Sequence, residues 1–454
     1  DDTIVAPITP PGHSGAGLVR ISGKMAPSIL ASLSRDAGGV KPRHARLTKI
    51  FDPRNGELID RGIVVYYRSP ESYTGEDVVE ISSHGNPVIM SAICEGAVFL
   101  GARIAEPGEF TKRAFLKGKI DLSQAEAVQE LIAARTMLAA RAAQRRLEGG
   151  LKEAVLRIRS RLLAALVQLE AAVDFPEEEL EILSAGGIRE LLAGALKDIG
   201  GLLDTFRIGR MLAEGAKIAI IGKPNVGKSS ILNSFLREER AIVSPRPGTT
   251  RDYISEVMHV RGIPIEVIDT AGIREGASDI VETEGVSRSR KIIEGADLVL
   301  FVVDGSRELT AEDGVTGAAL AGKQFILVVN KKDLGLLVSG ESFREAAGYF
   351  GSVSVSAKTG EGIDLLEERV YRAILGEEDP ASAEVHVGNL RQKEMLEQSA
   401  GYLEAAVKGI EQQLSPELVS LEVKDAASSL GGIIGEITTE EVLEGIFSSF
   451  CIGK

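Results

Sequence analysis

The sequence predicts a multidomain chain, part α/β and part all-α. A doubly wound, mostly parallel sheet is inserted into a helical unit, and both follow a strand-rich α+β unit. Three observations carry this. With 454 residues, the chain is about three ordinary domains long, at roughly 150 residues each. Between residues 214 and 378, apolar strand-like runs alternate with helical patterns, as in a parallel sheet covered on both faces. Amphipathic helical patterns lie on both sides of that stretch. The simplest architecture unites them, because domain termini commonly lie close together. The divisions expected are 1–117, 118–213, 214–378 and 379–454.

In the first unit, residues 3–8, 18–22, 62–67 and 78–82 are short apolar or β-branched runs between Gly, Pro and Ser punctuation, which predicts strands. Residues 87–100 carry apolar positions at helical spacing. Residues 123–172 read as one or two long helices, with Leu147, Leu151, Val155, Ile158, Leu162, Leu166 and Leu169 on one face. Phe175-Pro176 breaks the pattern, which resumes to about Leu212. In the central unit, strands are expected at 217–221, 265–268, 297–303, 325–329 and 352–356, with a helix from Lys228. Residues 389–448 are helical again, with a break expected at 431–435.

Composition excludes several classes. Lys and Arg number 52 against 66 Asp and Glu, a net charge of −14, so a generally basic nucleic-acid coat is ruled out. There is no Trp and aromatics are 4%, which argues against aromatic platforms for single strands. The acidity is uneven, with −8 in residues 379–454 and near neutrality before residue 214. From Arg135 to Arg161 eight basic residues face only Glu148 and Glu153. On a helix, Arg135, Arg146 and Arg157 share one stripe, and Arg141, Arg145, Lys152 and Arg159 share another. A solvated face weighs slightly above an RNA track for these stripes. Cys94 and Cys451 have no partner spacing, which predicts a reducing compartment and no disulfide framework. No apolar run approaches the ~20 residues of a membrane span, and the expected location is the cytoplasm.

The chemistry lies in the central unit. Gly222 to Ser229 fits G-x-x-x-x-G-K-[ST] between a strand and a helix. Glycines let the backbone of Asn225, Val226 and Gly227 curl so that N–H groups face phosphates, beside a helix N-terminus. Lys228 then meets the terminal phosphates, the Ser229 hydroxyl suits Mg²⁺, and Ser230 follows in the same turn. Three short strings follow, each after a strand. Asp269-Thr270-Ala271-Gly272 suits Mg²⁺ and a γ-phosphate. Asn330-Lys331-Lys332-Asp333 offers a carboxylate, Asp333, to the adjacent N–H and amine of guanine, a donor pair that adenine lacks. Ser356-Ala357-Lys358 can give backbone N–H groups to the guanine oxygen. Thr249 and Thr250, within Gly248 to Asp252, read as a switch loop with Thr250 as a second Mg²⁺ ligand. The five strings in order predict GTP as the bound nucleotide.

The central unit resembles a G domain of the translation-factor-like class. The whole chain resembles the bacterial tRNA-modifying GTPase family of the wobble-uridine carboxymethylaminomethyl pathway. The carrying strings are Asp2 to Ala6 with Pro10-Pro11-Gly12, Leu18 to Gly23, Tyr73 to Asp77, and Pro107 to Thr111. Further on they are Asp121 to Ala127, Asp174-Phe175-Pro176 and Phe447 to Lys454. The resemblance implies a folate-binding-like first unit, in which Arg20, Glu80, Lys119 and Lys454 match positions that contact formyl-tetrahydrofolate. It implies Cys451 in the modification centre. Ile273 stands where many GTPases carry a water-orienting Gln. The resemblance supplies Glu282 in that role instead, and K⁺ held by Asn225, Ser244, Arg246 and Thr249 when two G domains pair. It also implies a homodimer, tRNA as substrate, and a separate FAD-binding partner in a heterotetramer, because this chain has no dinucleotide fingerprint of its own. The competing reading is a GTPase switch in ribosome or RNA assembly without modification chemistry.

Overall fold

The computed structural model describes residues 2–35, 40–174, 185–238, 258–268, 292–320, 322–376 and 385–453. The first unit is built from β1 (Ile4–Pro7), β2 (Ser14–Ser22), α1 (Ala26–Ser34), β3 (Arg46–Phe51), β4 (Leu58–Tyr67), β5 (Val78–Gly85), α2 (Pro87–Phe99), β6 (Arg103–Ile104) and α3 (Glu109–Leu116). Its strands pair in the order β3-β4-β5-β2-β1-β6, antiparallel except where β1 meets β6. Alternate residues of β2 and β5 (Val19, Ile21, Val79, Ile81) bury against Ile29 and Leu33 of α1 and Ile93 of α2. The opposite face is only partly covered, with Leu47 71% and Ile63 47% exposed and directly paired across β3 and β4. Sequence patterning missed β3, whose mixed Arg-Leu-Thr-Lys run lacks a clean apolar alternation because it is an edge strand with little to bury.

The helical unit begins with α4 (Leu122–Ala133), α5 (Met137–Leu147), α6 (Gly150–Asp174), α7 (Ala185–Asp204) and α8 (Phe206–Glu214). The expected one or two helices over 123–172 are therefore three. Thr136 caps the second by accepting from the Ala139 N–H, and Gly149, at φ +97°, turns the chain before the third. Leu147 thus belongs to α5 and leaves the apolar face, while Leu151, Val155, Ile158, Leu162 and Leu169 stay buried on α6. The two basic stripes dissolve for the same reason. Arg135 lies between helices, and Arg146 is buried at 2% exposure.

The inserted unit follows: β7 (Ala216–Ile221), α9 (Lys228–Glu238), β8 (Met258–Val260), β9 (Ile263–Ile268), β10 (Leu298–Asp304), α10 (Ala311–Ala318), β11 (Phe325–Asn330), β12 (Tyr349–Ser354) and α11 (Ile363–Leu375). Its sheet order is β12-β11-β10-β7-β9-β8, parallel except for β8. The near-continuous apolar runs of β10 and β11 are buried throughout, as strands covered on both faces require.

The helical unit then resumes with α12 (Leu390–Glu411), α13 (Pro416–Ile434) and α14 (Glu440–Ser448). The break expected at 431–435 falls at the last of those residues. Gly431 and Gly432 lie inside α13, Gly435 caps it at φ +83°, and another break separates α12 from α13. One core unites the two halves: Leu151, Val155, Ile158 and Leu162 with Leu192 and Ile199, and with Leu396, Leu403, Val423 and Leu430. Each such side chain contributes roughly 1.5–3 kcal/mol on burial.

The chain leaves and re-enters through adjacent segments. The Val387 N–H donates to Thr205 Oγ1 at 3.0 Å, and Arg207 donates to the Ala373 and Ile374 carbonyls at the end of α11. Arg146 reaches the His386 carbonyl at 3.1 Å and pairs with Glu130. Arg391 holds Glu126 in a two-pronged bond at 2.7 and 2.8 Å, joined by Gln392 at 2.7 Å. Burial lowers Arg146 to about 10 and His386 to about 4. A Cβ on Gly209 would stand 2.0 Å from the Val387 carbonyl, so only glycine permits this approach. Gly209→Ala should therefore push α8 off the returning chain and cost about 1–3 kcal/mol. A drop in the thermal midpoint measures it, and an unchanged midpoint would contradict the packing.

Candidate functional site

The phosphate-type loop sits where β7 ends and α9 begins. Gly222 (φ +147°) passes the Val302 carbonyl so closely that a Cβ would stand 2.2 Å from it. Asn225 takes φ +64° and is exposed, and Val226 is buried beneath the loop. The Lys228 ammonium folds over the loop and donates to the carbonyls of Gly222 (2.8 Å) and Lys223 (2.7 Å). Burial lowers its pKa. Ser229 and Ser230 open α9 and are exposed.

Asn330 ties this loop to the far side of the site. It is 3% exposed. Its Nδ2 donates to the Val226 carbonyl at 2.8 Å, and its Oδ1 accepts from the Ala357 N–H at 3.0 Å. A Cβ on Gly227 would stand 2.2 Å from that Nδ2. One amide therefore spans two loops that are 104 and 27 residues away in sequence. Asp333 is exposed, and its Oδ1 accepts from the buried Ser356 hydroxyl at 2.7 Å, which limits how the carboxylate can turn. Lys331, at φ +66°, places its ammonium 2.7 Å from Asp304 Oδ2. Burial opposes ionisation of Asp304, but the bonds from Lys331 and Ser306 outweigh it and lower its pKa. Lys358 is exposed beside Ala357. The structure thus brings together Asn225 to Ser230, Asn330, Lys331, Asp333 and Ser356 to Lys358. Ser244, Arg246, Thr249, Thr250, Asp269, Thr270, Ala271, Gly272 and Glu282 lie outside the described residues.

A second group lies in the first unit. Arg20 and Glu80 are direct neighbours on β2 and β5, and the guanidinium donates twice to Glu80 Oε1, at 3.0 and 2.8 Å. The same guanidinium lies 4.9 Å from the Tyr73 ring centroid and 5.5 Å from that of Phe110. Tyr73 and Lys119 line an open cleft of about 730 Å³ with Arg43, Tyr67 and Glu71. Lys119 also donates to the Pro70 carbonyl at 2.9 Å. Tyr73 stands within a sequence string already quoted, whereas Tyr67 and Arg43 carried no sequence signal. The chain's last described residues dock on this unit. Ile452 bridges to Pro107, and Gly453 passes Pro7, where a Cβ would stand 2.2 Å from its carbonyl. Cys451 is exposed, and its carbonyl accepts from the Gly108 N–H at 3.5 Å. The tail that carries the thiol and the ring beside Arg20 therefore both meet the start of α3. Lys454 lies outside the described residues. The other thiol, Cys94, is buried and pushed up to about 12, so it is inert at neutral pH.

Comparison with known proteins assigns the chain's relatives. The family profile for the N-terminus of the GTP-binding protein TrmE matches residues 3–119, and that for the MnmE helical domain matches residues 122–451. The tRNA modification GTPase MnmE of Aquifex aeolicus (strain VF5) is 43% identical over 454 residues, covering 100% of both chains. That of Thermoanaerobacter pseudethanolicus is 43% identical over 458 residues, and that of Geobacter sulfurreducens is 41% identical over 457. Each covers 100% of this chain and 99% of the relative.

Asn330→Ala should strand the Val226 carbonyl and the Ala357 N–H, at about 1–3 kcal/mol for each buried group. Fluorescent-GDP titration should show affinity falling at least tenfold, roughly 1.4 kcal/mol. Unchanged affinity would show that the bridge does not hold the two loops for nucleotide.

Proposed function

This chain belongs to the MnmE family of tRNA modification GTPases, and from that premise we propose that its GTP hydrolysis drives carboxymethylaminomethylation of wobble uridine in tRNA. A flavoprotein partner supplies the redox chemistry, and the setting is the cytoplasm. Among the described residues no helix is long and apolar enough to cross a membrane. The observation that carries the reading is the coexistence, in one chain, of the Asn330-bridged loops and an exposed Cys451 whose backbone docks on Gly108 of the first unit, the unit that holds the Arg20–Glu80 pair.

In this reading Val226 to Ser230 and Lys228 bind the GTP phosphates, with backbone N–H groups and α9 providing positive potential. Asp333, steadied by Ser356, selects guanine, and Ala357 and Lys358 border its oxygen. Mg²⁺ suits the exposed Ser229 hydroxyl at the start of α9, with Thr250 and Asp269 as further ligands. K⁺ suits the exposed Asn225, whose backbone is left-handed, with Ser244, Arg246 and Thr249 completing the set. When bound, both ions offset negative charge on the phosphates. Glu282 orients water where Ile273 cannot. The cleft fits a folate: Tyr67 and Tyr73 offer ring faces, and Lys119 and Arg43 suit an anionic tail. Glu80 is already paired with Arg20, so a pterin edge meets a carboxylate whose direction is set by that pair. The exposed Leu47 and Ile63 support homodimerisation through the first unit. The division at 117, 213 and 378 is the corresponding domain assignment.

Mass spectrometry of wobble nucleosides from cells lacking this chain should show the carboxymethylaminomethyl group missing. Unchanged nucleosides would favour an assembly switch without modification chemistry. In cells carrying Cys451→Ser, hydrolysis should persist and modification should fall. Full modification would remove the thiol from the account. Hydrolysis by the full chain should rise with K⁺ and barely with Na⁺ at matched ionic strength. Equal rates would exclude the K⁺ role.

A further inference from the structure

Lys223 occupies a variable position of G-x-x-x-x-G-K-[ST], so the motif does not specify it. Its ammonium points away from the loop toward the start of α10. There it pairs with Asp313 Oδ2 at 2.6 Å and donates to Thr310 Oγ1. Asp313 is 3% exposed. As the third residue of α10, it also accepts from the Thr310 N–H at 2.8 Å, the return half of a capping box. An ammonium beside a helix N-terminus opposes the helix dipole. The buried carboxylate reverses that sign, so the cation is held by Asp313 specifically and is not a stray surface contact.

The pair has a downstream connection. The main-chain carbonyl of Lys223 accepts from Lys228 Nζ at 2.7 Å. A continuous path therefore runs from the Asp313 carboxylate, through the Lys223 side chain and backbone, to the lysine that serves the phosphates. On the other flank, Asn330 holds Val226. The loop is pinned at both ends, once by a motif residue and once by an ion pair to a helix outside every nucleotide motif.

We propose that the Asp313–Lys223 ion pair is a latch that pre-shapes the phosphate loop, making both residues positioning residues for GTP. This rests on the reading of residues 222–229 as the phosphate loop. A latch present before and throughout binding stabilises ground state and transition state alike. Its loss therefore raises KM and leaves kcat in place. Pre-shaping acts by lowering the ordering cost that binding otherwise carries.

The test uses the full-length chain, fluorescent methylanthraniloyl-GDP for affinity and GTP for turnover. Lys223→Met removes the cation at similar length. Asp313→Asn removes the charge but keeps an oxygen for the cap. Each should weaken GDP binding and raise KM for GTP about tenfold, with kcat within about twofold. The double variant should be no worse than the weaker single one, because both remove one interaction. Lys223→Arg should stay within about twofold of the parent, since it restores the cation. Parental affinity in Lys223→Met, losses that multiply in the double variant, a fall in kcat at unchanged KM, or failure of Lys223→Arg would each overturn the latch. Lys228→Ala separates the two levels of the argument. If it retains full GDP affinity, the phosphate-loop reading fails. If it loses affinity while Lys223→Met does not, only the latch fails.

Discussion

The rest of the structure depends on the closure of the chain at the point where it leaves and re-enters the helical unit. Residues 385–389 return past α8, and the contact there has no slack. The Val387 N–H is bonded to Thr205, and the Val387 carbonyl stands where a Gly209 side chain would be. Arg207 holds the last carbonyls of α11, and Arg146 holds the carbonyl of His386. An inserted unit tethered at two adjacent points cannot drift far from its host. The apolar face of α8 (Ile208, Met211, Leu212) and Ala142 of α5 are counted in the same core as β7, β9 and α11. The inserted sheet therefore grows directly from the helical unit and does not hang from a linker.

That arrangement bears on how nucleotide chemistry communicates with the rest of the molecule. Arg210 pairs with Asp297, and Asp297 also accepts from the Lys217 N–H at 2.9 Å, so α8 is bonded to the N-terminal ends of β7 and β10. These strands end at the phosphate-type loop and at Asp304, the partner of Lys331. At the other extreme of the chain, Phe447 and Phe450 pack with Leu122 and Leu443, and the tail beyond them lies on the first unit. The helical unit thus joins the nucleotide-binding sheet through α8, at the strand ends opposite the phosphate-type loop, and joins the first unit through the Cys451 tail.

Much of this was legible in the sequence because it was local. The strand–loop–helix at Lys217 to Lys228 follows from apolar strand residues, glycines and a helix start. The ends of β10 and β11 fell within a residue of where their apolar runs stop. Of the five nucleotide-type strings, those at 222–229, 330–333 and 356–358 lie at the ends of β7, β11 and β12 and are joined through Asn330 and Ser356. What escaped was set by distant contacts or single turns. Arg146 reads as a surface cation from its neighbours, and only the approach of His386, 240 residues away, makes it a buried one. Gly149 and Thr136 divide what reads as one or two helices into three, yet neither is distinguishable from a tolerated interior residue by periodicity. Lys223 and Asp313 are ninety residues apart and belong to no shared pattern. The acidic net charge also sharpens in meaning. A charge of −14 excludes a generally basic coat. It does not exclude tRNA, since the chain belongs to a tRNA-modifying family.

The central claim is that guanine nucleotide turnover at the Asn330-bridged site drives tRNA modification. Asp333→Asn tests it directly. Xanthine presents a carbonyl where guanine presents its amine, so the amide should accept xanthosine triphosphate and reject GTP. An extract of cells lacking this chain, supplemented with the purified full-length variant and unmodified tRNA, supplies the remaining components. The account predicts that wobble-uridine modification, read by mass spectrometry, is restored by xanthosine triphosphate and not by GTP. Restoration that is indifferent to the added nucleotide would contradict it.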